Sequence, residues 1–342
     1  MSGIKIVSSK KFLEETNPVD HPEKPLRIEM FMEDYGDEAI EVESAEEDYL
    51  YGLHDPSYVN YVKTLSETVG EGEVKKIEYQ TPVTESTYEI AKQGIGTARR
   101  VSQEMINQPG EPVLGVIRPP GHHANKSYSS GFCIFNNLAS AKKDLEMEGL
   151  DKIFIADFDA HYGDGIEDFV TSNDQSIYFS IDEDWFTESR SGYVDVSEDN
   201  LHLSLPPKSG QRYSEIFDLS LEKIFENYSP EAFLCAAGFD GHFSDSLSQL
   251  KLSQNDYYDI GKSIEKNSKD MPLGFILEGG YNEAQVYRGL NNLLVNWDEN
   301  FSRYHDPERE RDFHEKDKYE DIVDRVEELE NEFYRELDKQ FN

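Results

Sequence analysis

The segment Asp157-Phe158-Asp159-Ala160-His161-Tyr162-Gly163-Asp164-Gly165 concentrates three carboxylates and an imidazole in one short stretch. If residues 156–161 run extended, the side chains at 157, 159 and 161 point the same way. They then offer two carboxylates and one imidazole to a single point, a hard oxygen and nitrogen set that suits a divalent metal. Asp and Gly also build turns, so a plain polar turn is the competing reading of this segment alone.

Other residues capable of chemistry stand in further loops. Arg118-Pro119-Pro120-Gly121-His122-His123 places two adjacent histidines behind two prolines and a glycine. Imidazole exchanges its proton near neutral pH, so such a pair in a rigid loop suits acid/base work. Two ordinary solvated histidines are the bland alternative. Gly131 and Phe132 follow, where they would line an apolar slot or simply lead into a helix. Asp240, in Gly238-Phe239-Asp240-Gly241-His242, and Tyr281, in Glu278-Gly279-Gly280-Tyr281-Asn282, each stand just past an apolar run. Gly279 and Gly280 let the backbone approach a ligand closely.

The elements that must position these loops are short and alternate in type. Strands are expected at Ile4–Val7, Val113–Ile117, Ile153–Ala156, Ser176–Ile181, Leu201–Leu205, Ala232–Ala237 and Leu273–Leu277, each a short apolar or alternating run. Helical spacing is expected from a turn at His54 through Leu65, over 84–107 with Thr84 as cap, and over 138–148, 213–228 and 253–268. The prolines of 21–27 predict a loop, and 31–52 is acid-rich without a clear pattern. His202 reads as structural. This alternation predicts an α/β fold, a mostly parallel sheet with helices on both faces. In such sheets ligands bind outside the carboxyl ends of the strands, which is where every loop named above begins.

Residues 1–300 read as one domain and 301–342 as a charged extension, in which Ile322, Val326, Leu329, Phe333 and Leu337 form one apolar stripe. That stripe is expected to pack on the domain or on a second copy, leaving room for a homo-oligomer. The chain carries 70 acidic and 33 basic residues, a net charge of −37. So negative a surface repels phosphate backbones and anionic lipid, which argues against nucleic acid or a membrane surface as partner. The even scatter of acid fits the cytosol of a salt-loving microbe, and the charge then says little about substrate. Cys133 and Cys235 both sit in apolar surroundings, which argues against a disulfide framework and for a reducing compartment. The amino-terminal stretch lacks a basic region followed by an apolar core, and no apolar run approaches a membrane span, so a soluble cytoplasmic protein is expected.

Five motifs, PPGHHA at 119–124, GFCIFNN at 131–137, DFDAHYGDG at 157–165, AGFD at 237–240 and LEGGY at 277–281, follow one another in an order that resembles the zinc-dependent histone deacetylase superfamily. This superfamily includes acetylpolyamine amidohydrolases and acetoin-utilisation proteins; the likeness, class II-like in its motifs, covers roughly residues 1–297. It implies the three-layer arginase/deacetylase-like α/β fold and hydrolysis of an acetylated amine, either acetyl-lysine in a protein or a small acetylated amine such as an acetylpolyamine. Asp159, His161 and Asp240 resemble the ligands of one Zn2+ per chain. His122 and His123 resemble the proton-handling pair, with Asp157 and Asp164 as their carboxylate partners, and Tyr281 resembles the phenol that holds the oxyanion. Gly131, Phe132, Gly279 and Gly280 resemble the substrate-binding residues, and backbone carbonyls of Asp157, Asp159, His161, Ser180 and Ile181 the site of a monovalent cation, K+ here.

The sequence departs from the family in places. Gln80 stands where protein-lysine deacetylases commonly carry a rim Asp, Asp182-Glu183-Asp184-Trp185 replaces a histidine and an aromatic, Gly/Pro-rich loop, and Asp245-Ser246 replaces Asp-Pro. Two further readings have different consequences. Ser180-Ile181-Asp182-Glu183-Asp184 superficially resembles the metal ligands of binuclear manganese ureohydrolases of the arginase/agmatinase type, for which two ions per chain would be diagnostic. A catalytically silent acyl-lysine binder is the other, discouraged because every proposed catalytic position carries a competent residue.

Overall fold

The protein is described by a computed structural model covering residues 3–14, 17–18, 20–170, 175–306 and 320–341. Its strands are β1 (Lys5–Ser8), β2 (Ile40–Glu41), β3 (Lys75–Lys76), β4 (Pro82–Val83), β5 (Val113–Gly115), β6 (Ile153–Asp157), β7 (Ile177–Glu183), β8 (Tyr193–Val196), β9 (Asn200–Leu205), β10 (Ala232–Ala237) and β11 (Leu273–Leu277). The helices are α1 (Leu26–Tyr35), α2 (Glu47–Leu53), α3 (Pro56–Glu67), α4 (Thr87–Asn107), α5 (Asn137–Met147), α6 (Asp164–Phe169), α7 (Gly210–Asn227), α8 (Gln254–Asn267), α9 (Glu283–Leu294) and α10 (Glu320–Gln340).

The main sheet has nine strands in the order β2-β1-β5-β11-β10-β6-β7-β9-β8. Every pairing in it is parallel except β8 with β9. The runs β6, β10 and β11 are buried at every position, as strands covered on both faces must be. α4 packs on β1, β5 and β11, α5 packs on β10, and α7, α8 and α9 form a mutually packed row joined by α1. Helices on both faces of a mostly parallel sheet are the layers the sequence predicts.

The sheet order decides where the loops meet. β5, β11, β10 and β6 are consecutive neighbours at its centre, although they are widely separated in the chain. Their register is level at the carboxyl ends: Ala237 pairs with Leu277 and Ala236 with Asp157. The four loops that follow these strands therefore start side by side.

Several local expectations change. Residues 26–35 and 47–53, read as loop or unpatterned, are helices α1 and α2. Leu26 and Met30 remain exposed on α1, which blurs its apolar stripe. Thr84 does not cap α4; Ser86 stands at the cap, and the Thr84 amide instead bonds the Thr87 hydroxyl. The apolar stripe of α10 goes to the chain's own domain: Val326, Leu329, Phe333 and Leu337 are buried, and the helix packs on β8, β9 and α7. Arg212 of α7 reaches Glu327 at 2.9 Å and Glu330 at 2.7 Å across that contact. Residues 307–319 of the charged extension lie outside the described residues.

Candidate active site

β6 ends at Asp157, and the chain then bends, so residues 156–161 are not the extended run that would aim 157, 159 and 161 alike. The bend divides the work. Asp157 turns to His122 and to Tyr178, whose hydroxyl donates to it at 2.9 Å. Asp159 and His161 meet Asp240 from the loop after β10, and their ligand atoms all lie within 4.8 Å of one another. His161 Nδ1 is 3.2 Å from Asp159 Oδ1 and 2.9 Å from Asp240 Oδ2.

Backbone amides hold these carboxylates in place. The amide of Gly279 donates to Asp159 Oδ2 at 2.8 Å, and that of Ala160 to Asp240 Oδ1 at 2.9 Å. A side chain at Gly279 would collide with both the Asp159 and Asp240 carboxylates, so glycine is needed there. An Asp2His set with hard donors, oriented by outer hydrogen bonds, fits a divalent cation. Asp159 and Asp240 are fully buried, and His161 is the member of the trio that reaches the cavity beside it.

The loop after β5 delivers the histidine pair, whose ring centroids are 4.0 Å apart. His122 Nδ1 lies 3.2 Å from Asp157 Oδ2, and His123 Nδ1 lies 2.8 Å from Asp164 Oδ1. Asp164 also accepts from Asn125 at 3.0 Å, which fixes the carboxylate that fixes the ring. The two imidazoles are driven apart in proton affinity. Burial alone would lower His122, yet the charges of Asp159 and Asp157 raise it to about 10. Burial and the His122 cation instead lower His123 to about 4. A cation on Asp159 would weaken the first support and leave Asp157 as the partner that sets the His122 proton. Neighbouring titratable groups pushed in opposite directions provide an acid and a base in one site.

Tyr281 arrives from the loop after β11. Its amide donates to Asp245 Oδ2 at 2.7 Å, the Arg27 guanidinium lies 4.8 Å from its ring centroid, and Phe132 meets the ring edge-on at 5.4 Å. Phe132 has φ 69° and Gly131 φ 50°; a side chain on Gly131 would enter the His123 ring. A cavity of about 350 Å³ is lined by His122, His123, Gly131, Phe132, His161 and Tyr281, with Gln80, Ser130, Trp185 and Leu247 completing its wall. Gly279 and Gly280 are not among the residues of that wall. Gly280, with φ 120°, gives its carbonyl to Arg27 Nε at 2.6 Å. Asp157 and Ser180 are register partners across β6 and β7, and the Ile181 carbonyl accepts from the Tyr213 hydroxyl at 2.6 Å.

The ureohydrolase-like carboxylates point elsewhere. Asp182 pairs with His202 at 2.6 Å, and Asp184 accepts the amides of Phe186, Thr187 and Gly192. Trp185 stacks on His161 at 5.5 Å, the Arg190 guanidinium lies over the Trp185 ring at 4.1 Å, and Trp185 lines the cavity, so the replaced segment does build cavity wall.

The match to the Histone deacetylase domain spans residues 21–296. The chain belongs to that family. It is 27% identical over 300 residues to a "Probable deacetylase" of Archaeoglobus fulgidus, covering 81% of this chain and 80% of that protein. It is 29% identical over 236 residues to "Acetylpolyamine amidohydrolase 1" of Pseudomonas aeruginosa, covering 66% of each. Histone deacetylase 14 of Arabidopsis thaliana is 30% identical over 247 residues, 67% of this chain and 58% of that one. The fold is also that of the HDA15 HD domain crystal structure, with TM-score 0.79 at 19% identity over 100% of this chain and 98% of that one. The enzyme class is therefore deacetylase-type amidohydrolase.

Some site residues carried no sequence signal. Arg27 lies in a stretch read as loop, yet it is fully buried beneath Tyr281 and holds the carbonyls of Glu278 and Gly280. Glu23, tied to Arg118 at 2.8 and 2.9 Å, completes a buried charge group behind the site. Only contacts made across the fold identify them.

Proposed function

We propose that the protein is a zinc-dependent hydrolase that removes acetyl or short acyl groups from acetylated amines, with acetyl-lysine and acetylpolyamines as the candidate substrates. The reading rests on one observation: Asp159, His161 and Asp240 converge beside a cavity that is also lined by His123 and by Tyr281. Asp159, His161 and Asp240 would hold the metal, whose chemistry when bound is to polarise a carbonyl and lower the pKa of a water. His123, neutral at working pH, takes the proton of the attacking water, and Asp164 keeps its ring oriented. His122, cationic beside Asp157, supplies the proton to the departing amine. Tyr281 donates its hydroxyl to the oxygen that becomes negative. Gly131 and Phe132 flank the alkyl chain. Products are a carboxylate and a free amine.

The family's monovalent site, built from carbonyls of Asp157, Asp159, His161, Ser180 and Ile181, would hold K+. Residues 1–300 would form the catalytic unit and 301–342 an extension, whose helix α10 (Glu320–Gln340) packs on β8, β9 and α7. Two free, buried cysteines and the lack, among the described residues, of a helix long and apolar enough to cross a membrane are compatible with a cytoplasmic protein. Turnover of an acetyl-lysine peptide, acetylputrescine and acetylspermidine by metal-depleted and zinc-reloaded protein at high salt tests the reading. Failure on all three with zinc bound refutes it.

A further inference from the structure

A second cluster of ligand-type side chains lies beside the first. One ligand atom each from His122, Cys133 and Glu278 fall within 4.8 Å of one another, and all three residues are buried. Cys133 follows the Gly131-Phe132 turn, and its thiol lies 3.5 Å from the Gly131 carbonyl and also meets the His123 backbone. Glu278 uses one oxygen fully: Oε2 accepts the amides of Gly121 at 2.6 Å and His122 at 3.0 Å. Its other oxygen, Oε1, is buried without a hydrogen-bond partner. An orphaned carboxylate oxygen in a dry site is costly and calls for a partner. With His122 Nδ1 engaged by Asp157, Nε2 is the ring nitrogen left for a ligand.

We propose that His122, Cys133 and Glu278 form a second, buried cation site that takes a thiophilic divalent ion such as Zn2+ when the ion is in excess, and that filling it inhibits the enzyme. A thiolate, a carboxylate and a neutral imidazole around a dication make a set with no net charge, which a dry interior tolerates. Binding displaces the thiol proton and the His122 proton to solvent, and the metal takes both positions. His122 then has no proton to give. The two sites adjoin, since His122 Nε2 lies 3.8 Å from Asp159 Oδ1, so the second ion meets the charge of the first and binds more weakly. The sulfur also separates the two sites chemically, because thiolate favours Zn2+ over harder ions and the Asp159–His161–Asp240 set has none.

The ion count stands without the hydrolytic reading; the inhibition rests on it. The full chain is titrated with Co2+, following metal content and the near-ultraviolet thiolate-to-cobalt charge-transfer band. The expected result is no band during the first equivalent, a band during the second, and a final count of two ions. Cys133→Ser should stop at one ion without the band, and Glu278→Gln, which keeps an acceptor for the two amides, should weaken the second ion by roughly tenfold or more. With Zn2+, excess metal should cut wild-type turnover by roughly tenfold, while Cys133→Ser keeps its own one-equivalent rate. A count that stays at one without a band, or a band that survives in Cys133→Ser, overturns the proposal. Two ions with the band in a protein that hydrolyses no acylated amine would leave this site standing and remove the hydrolase reading instead.

Discussion

Replacing Tyr281 by Phe isolates a single hydroxyl. The ring's supports do not involve that hydroxyl: the amide bond to Asp245, the Arg27 guanidinium at 4.8 Å and the edge of Phe132 at 5.4 Å all survive the change. The phenol is also a donor at every working pH. Burial, opposed by Arg27 and reinforced by Asp240 and Asp159, pushes its pKa well above the ordinary tyrosine value. Loss of one preorganised donor to a developing oxyanion costs about 10²–10³ in kcat, or about 3–4 kcal/mol. Because the bond strengthens as charge develops, KM should change little. The assay is steady-state turnover of an acetyl-lysine substrate by Tyr281→Phe, with metal content and thermal midpoint measured on the same preparation. A kcat within about threefold of wild type, with the metal bound, would show that this hydroxyl does not serve the reaction.

Three further outcomes are expected. Gly131→Ala puts a methyl into the His123 ring at a left-handed residue, so turnover should fall at least about tenfold while stability drops only about 1–2 kcal/mol; wild-type rates would contradict the packing. Chelation should abolish turnover and added Zn2+ restore it, with the far-ultraviolet circular dichroism unchanged throughout; full activity in chelator would remove the metal from the reaction. His54, buried with Nδ1 3.0 Å from the Asn125 carbonyl and Nε2 3.0 Å from the Asn136 amide, is held by burial at about 4. The unfolded chain therefore takes up this proton first as pH falls, so the contribution is complete above about pH 6.5 and is lost, about 3 kcal/mol in all, on the way down to about pH 4. Denaturant unfolding at pH 7 and pH 4.5 should show a smaller loss in His54→Gln than in wild type; equal losses would refute the assignment.

Much of the site is legible in the sequence because catalytic groups cluster at strand ends, and strand ends announce themselves. Asp157 through Asp164 follow an apolar run, as do His122 and His123, Asp240 and Tyr281, each before or among glycines. The same logic is silent for Arg27 and Glu23. They sit on or before a helix whose exposed Leu26 and Met30 blur its periodicity, and their partners are about a hundred to two hundred and fifty residues away. Helix α6, beginning at Asp164, is missed for a related reason: it is one short turn and a half directly after the loop that follows β6.

Local patterning, then, determined which residues are competent and that a mostly parallel sheet carries them, since buried strands need apolar runs and loops need Gly, Pro and Asp. The sheet order was decided only in three dimensions. Placing β11 between β5 and β10 brings Tyr281 and Gly279 from the end of the domain to the histidines and carboxylates of its middle. The bend after Asp157 likewise splits one motif between the proton pair and the cation cluster. Neither is encoded by nearest neighbours along the chain, because each is fixed by hydrogen bonds and packing between segments that meet only on folding.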